Sequence, residues 1–285
     1  MISIAIVQAL LFDDAAPAAC AKKPDPVACL IDARYAKDDR AKHLAADLYK
    51  HSGDIAGVGA DEQMNGGFRG KIHLVPELPI GAYRKHLTWV LAATDSIDKF
   101  FTDVMDGKQP AYRWRDLAFK FVRSVGKHTP SAYAGIDPNG AWAIEYNVEG
   151  SLLKSEAGVR ETLVHELFHI NDESHHDWSQ TALAKDYAAI VKKCGTRSSC
   201  LAPYAPNDTK VLATGTYYAF QPNNGNTVHE YAAELAVRYF KEQTEVLAHG
   251  KLGQRAFKCG PAENARAWQA LVDEFFAGVD HVPTC

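Results

Sequence analysis

Four of the chain's twelve histidines fall in one stretch, ETLVHELFHINDESHHDW, residues 161–178. His165, Glu166 and His169 spell H-E-x-x-H within it. A helix turns about 100° per residue, so positions four apart share a face. Both imidazoles can then reach a single ion about 2.0–2.1 Å away. Glu166, beside them, can take a proton from a water that the metal activates. The competing reading is a solvated helix carrying two ordinary histidines. Leu163, Val164, Leu167, Phe168 and Ile170 argue against it, because so apolar a run predicts a buried helix. Buried imidazoles and a buried carboxylate without partners cost several kcal/mol, and a metal ion supplies the partner.

An open zinc site has three protein ligands and one water, so a third ligand is required. Glu230 is the strongest candidate. In HEYAAELAVRYF it stands four residues before Glu234, on a helix whose apolar side includes Val228, Ala232, Leu235 and Phe240. One carboxylate can bind the metal while the other holds a ligating histidine through its second ring nitrogen. A plainer reading gives Glu230 to a capping box with Thr227 and Glu234 to an ion pair with Arg238. His175 follows His169 at the metzincin spacing. Asp172 stands where that family has its turn glycine, however, and the methionines (Met1, Met64, Met105) all precede the motif. Asp186 sits at an aspzincin-like distance in AKDYAAI, without the rest of that motif.

The pair HELFHIND and EYAAELAVRYF resembles the gluzincin metallopeptidases, particularly the catalytic domain of anthrax lethal factor and its relatives. The resemblance covers the two motif segments and the strands before them, about residues 80–245. It implies a zincin-like fold, one Zn2+ per chain bound by His165, His169 and Glu230, and Glu166 as the general base of peptide hydrolysis. It also implies that Glu234 and Asp172 support the ligands from behind. The departure lies between the motifs, where 61 positions separate His169 from Glu230 (230 − 169), longer than the family pattern. The family's tyrosine falls nearest to Tyr217 and Tyr218, either of which can donate a phenol to an oxyanion. The substrate implied is a peptide or protein. Two other readings use the same residues: a zinc hydrolase of a non-peptide amide such as a cell-wall crosslink, and a non-catalytic module whose zinc takes a fourth ligand from His175, His176 or His229.

The elements that must position these groups follow from periodicity and turn signals. Residues 24–52 read as one helix, 57–70 as an exposed glycine-rich loop and 71–79 as a strand. A helix follows over 83–105, then strands over 117–125 and 141–148 and the motif helix over about 155–171. Residues 172–210 read as irregular, and helices span 227–249 and 261–277. The fold class expected is α+β: a small mixed sheet on the metal-binding helix, followed by a mainly helical C-terminal lobe. The strand 141–148 is expected to offer the edge to which an extended peptide adds. Residues 1–18 read either as a secretory signal or as a short strand or fused N-terminus, 19–80 as an N-terminal helical and loop region, and 81–285 as the zincin-like domain. Lys+Arg of 31 against Asp+Glu of 35 gives no electrostatic case for a nucleic-acid partner. No apolar run approaches the roughly 20 residues that span a bilayer. Six cysteines fall in three local couples, Cys20/Cys29, Cys194/Cys200 and Cys259/Cys285. Disulfides persist outside the reducing cytosol, so a secreted or periplasmic location is expected.

Overall fold

The computed structural model describes residues 19–66, 69–137, 140–211, 214–222 and 227–285. The secretory signal expected over 1–18 lies outside the described residues. Helices α1 (Pro26–Arg34) and α2 (Asp39–Ser52) come first, then strands β1 (Ile55–Val58), β2 (Glu62–Asn65) and β3 (Lys71–Pro76). Helix α3 (Arg84–Met105) precedes β4 (Ala118–Ser124), β5 (Ala132–Ile136) and β6 (Trp142–Asn147). Helix α4 (Glu156–Ser174) carries the motif. It is followed by α5 (Trp178–Ala182), α6 (Ala184–Cys194), α7 (Ser198–Leu201), α8 (Thr227–His249) and α9 (Ala262–Phe275). The chain is thus mixed α and β, as the expected class requires. Two compact units divide it: residues up to Ile97 with Trp114–Glu166, and Asp98–Arg113 with Leu167–Cys285.

The first unit holds the sheet, in the order β2-β3-β4-β6-β5. One side of β4 is shared: β1 runs parallel to Ala118–Phe121, and β3 runs antiparallel to Val122–Ser124. On its other side β4 pairs in parallel with β6. β6 in turn pairs antiparallel with β5. The strand expected to form an edge is therefore interior, and the sheet ends on β2 at one side and on β5, which was not anticipated, at the other. Burial explains the error: Trp142, Ala143, Ile144, Tyr146 and Asn147 are all buried, so β6 is covered on both faces. Alternation alone could not say which edge was paired. Residues 57–70 also depart from the expected loop, since they contain the end of β1 and all of β2. A side chain at Gly59 would collide with a Glu145 carboxylate oxygen at 2.4 Å, so glycine there serves close approach.

The single helix expected over 24–52 is two. Asp38 adopts an extended backbone, and its carboxylate accepts the Ala41 N–H at 3.1 Å, capping α2. The same carboxylate takes three hydrogen bonds from the Arg84 guanidinium, at 3.1, 3.0 and 2.7 Å, and one from the Gly81 N–H. Asn147, at the end of β6, binds the Ser124 backbone N–H, the Ser124 hydroxyl and the Pro130 carbonyl. Helix α4 begins where the Ser155 hydroxyl accepts the Gly158 N–H at 3.1 Å. The Leu152 carbonyl lies 2.3 Å from where a Gly158 side chain would start, so glycine lets that turn close.

The second unit is helical. The region expected to be irregular holds α5, α6 and α7, and α6 buries Tyr187, Ile190 and Cys194 at helical spacing. Its exposed polar side chains hid that face. Asn171 on α4 pins the segment before β4 by bonding both the N–H and the carbonyl of Arg113. Tyr239 stacks on Phe276 at 4.0 Å, and Phe100 packs on Phe240 at 4.3 Å. Disulfides Cys20–Cys29, Cys194–Cys200 and Cys259–Cys285 match the expected couples. Three disulfides fit an extracellular or periplasmic protein. Among the described residues, no helix is long and apolar enough to cross a membrane.

Candidate metal centre

Helix α4 is unbroken from Glu156 to Ser174, so His165 and His169 stand one turn apart on it. One nitrogen from each, and one carboxylate oxygen of Glu230 on α8, all lie within 4.8 Å of one another. His169 Nε2 is 3.6 Å from Glu230 Oε2. Ligand atoms set tetrahedrally about 2.0–2.1 Å from a zinc ion are about 3.3–3.4 Å apart. For the His169–Glu230 pair a movement of a few tenths of an ångström closes that difference. The donor set also fits: two imidazoles and one carboxylate are borderline ligands suited to zinc, and they number one fewer than a closed tetrahedral shell. Among the described residues this is the one group of three or more metal-ligating side chains so arranged.

The surroundings are low in solvent. His165 is 9% exposed and Glu166 is 7% exposed, while His169 and Glu230 are half-buried. The α8 sequence is what places the glutamate. Val228, Tyr231, Ala232, Leu235 and Ala236 are buried, which leaves Glu230 on a half-buried flank. The Glu230 carboxylate lies toward His169, as the ligand reading expects. Glu234 is buried one turn on, and its carbonyl accepts the Asn207 side-chain amide at 2.8 Å. Arg238, the alternative partner weighed for Glu234, bonds Glu242 at 2.6 Å.

The other candidates are engaged elsewhere. His175 places Nδ1 2.6 Å from Glu274 and Nε2 3.0 Å from the Ala111 carbonyl, tying α9 to the segment before β4. Asp186 grips Arg266 through two hydrogen bonds of 2.8 Å, and that guanidinium holds its carboxyl below the ordinary range. His176 is exposed in a left-handed turn at φ 60°. His229 sets Nε2 3.6 Å from Asp172 Oδ2. Asp172 is 1% exposed and accepts both the N–H and the hydroxyl of Ser179, at 2.7 and 2.6 Å.

Tyr217 and Tyr218 open a short 3-10 turn. Tyr217 is buried under the Lys210 ammonium, 5.0 Å from its ring centroid. A third tyrosine, Tyr187, is coupled electrostatically to Glu230. Burial pushes the Tyr187 phenol up; a hydrogen bond with Thr227 opposes the rise, and the Glu230 charge adds to it. Tyr187 also stacks on Phe220 at 5.5 Å. Its sequence position, 43 residues before Glu230 (230 − 187), carried no signal of this neighbourhood. No family model matches the chain, and no curated protein or solved structure matches it either.

Proposed function

We propose that the protein is a zinc-dependent peptidase of the gluzincin type. The observation that carries this reading is the convergence of His165, His169 and Glu230, with donor atoms within 4.8 Å of one another. Bound there, zinc would polarise the scissile carbonyl and lower the pKa of water toward about 7. Glu166 directly follows His165 on α4, and its carboxylate takes the proton of the attacking water. The same carboxyl then delivers that proton to the leaving amine. Its low exposure favours this role, because a carboxylate screened from bulk water keeps the proton for the next step. Glu230 contributes one negative charge, so a divalent ion leaves the ligand set with a net positive charge suited to a developing oxyanion. A peptide substrate is compatible with β5, a terminal strand of the sheet, whose backbone can receive an extended chain as a further strand.

The test is metal analysis and peptide cleavage on the purified full chain and its Glu166→Gln variant. The expected result is about one zinc retained in both, with cleavage lowered at least ~10²-fold in the variant. Loss of zinc together with activity would make Glu166 a structural group. Zinc retained with no cleavage of any peptide, alongside hydrolysis of a cell-wall crosslink, would move the substrate to a non-peptide amide.

A further inference from the structure

The contact between His229 and Asp172 sits one residue from the glutamate of the metal centre and has no part in the mechanism above. We infer that this pair is a positioning device: it sets the register of α8 against α4 so that Glu230 meets His169. The inference rests on the metal-centre reading. His229 and Glu230 are consecutive on α8, and they face Asp172 and His169, three residues apart on α4. Two adjacent contacts of this kind fix both the rotation and the height of one helix on the other. A slip of a single residue would carry Glu230 about 100° around α8 and about 1.5 Å along it, out of reach of His169.

Asp172 is built to be the fixed end. The chain leaves α4 through a turn in which the Asp177 N–H reaches back to the Asp172 carbonyl at 3.0 Å. Left-handed backbone at His176 and Asp177 then returns the chain over α4. That return brings Ser179 to the carboxylate, where its N–H and hydroxyl each occupy one oxygen. Held at both oxygens and 1% exposed, Asp172 has little freedom left. The His229 ring, whose Nε2 also lies 3.9 Å from Asp177 Oδ1, is the end carried by α8. A second tie lies one turn further along α8, where Asn207 binds the Glu234 carbonyl. Glu230, by contrast, has a long side chain with three rotatable bonds and cannot set the helix by itself.

The experiment measures zinc dissociation constants, by chelator competition, for the full chain and four variants: His229→Ala, His229→Gln, Glu230→Ala and the His229→Ala/Glu230→Ala pair. His229→Ala is expected to weaken zinc binding by about 10–100-fold, the usual effect of removing support behind a ligand. In the Glu230→Ala background the same substitution should change nothing further, because the device acts only through Glu230. His229→Gln, which keeps an N–H donor near Nε2, should return the affinity to near the parental value. It also serves should the alanine variant fail to fold. Equal losses in both backgrounds would mean general damage and would overturn the inference. So would unchanged affinity in His229→Ala alongside a weakened Glu230→Ala. Unchanged affinity in Glu230→Ala would instead remove the metal-centre reading itself.

Discussion

Single residues in this chain are distinguished by where their polar atoms go. His175 and His165 are both histidines of one short stretch, yet His175 spends both ring nitrogens on Glu274 and Ala111. His175→Ala should therefore leave zinc affinity unchanged while lowering stability by about 1–3 kcal/mol, read by urea unfolding against zinc titration. His86 is a third kind. It is 1% exposed, its Nδ1 lies 2.9 Å from the Tyr146 hydroxyl, and its Nε2 has no hydrogen-bond partner among the described residues. Burial, with Lys85 and Lys154 adding to it and Glu149 opposing, pushes its pKa down from 6.5 to about 4. Below pH 6.5 the unfolded chain binds a proton that the folded chain refuses. Stability should thus fall as pH drops from 6.5 toward 4, and a His86→Phe variant should flatten that slope in unfolding midpoints. A slope identical in both proteins would show that other groups govern it.

At the scale of elements, α2 begins where the Asp38 side chain makes helix and neighbour agree. Its carboxylate caps α2 and receives the Arg84 guanidinium at the start of α3. The Arg84 hydrogen bonds come first, with those of Gly81 and Ala41 behind them, in holding the carboxyl well below the ordinary carboxylate range. A group lowered on folding stabilises above its unfolded pKa and loses that contribution as pH falls. Asp38→Asn should accordingly lower the melting temperature at neutral pH and matter progressively less in acid, checked by calorimetry across pH. Asp is a favoured N-cap, but the single helix expected over 24–52 took no account of Asp38. The Arg84 that pairs with it lies 46 positions away (84 − 38). Helix 227–249, by contrast, was legible to the residue, because its periodicity is uninterrupted and Gly250 ends it at φ 69°.

For the whole molecule, ligand binding and covalent ties both shift the folding equilibrium. The proposed zinc centre, present only in the folded chain, would make stability depend on zinc. At a zinc concentration 100 times the dissociation constant the gain is about 2.7 kcal/mol, so chelation should lower the melting temperature and added zinc should restore it. Glu230→Ala should lose most of that response, and an undiminished response would place the zinc elsewhere. The Cys259–Cys285 bridge closes 26 residues. Replacing both cysteines by serine should cost about 3–4 kcal/mol, measured in unreduced protein. The strand expected to be an edge, 141–148, fails at this scale too, because pairing partners are chosen by the assembled sheet.

What the sequence determined by itself were the properties set by near neighbours along the chain. The one-turn spacing of His165 and His169, the long helices around Leu87 and Leu235, and the local cysteine couples all depend on a few adjacent residues. The sequence favoured Glu230 as the distant partner of the imidazoles, but only the tertiary structure brought it to them while engaging His175 and Asp186 elsewhere. Tertiary structure also decided that β5 rather than β6 would end the sheet. The reason is physical. Helix periodicity is encoded in φ/ψ preferences and burial over a dozen residues, whereas a ligand set or a strand order is selected by how whole faces pack, which no local pattern records.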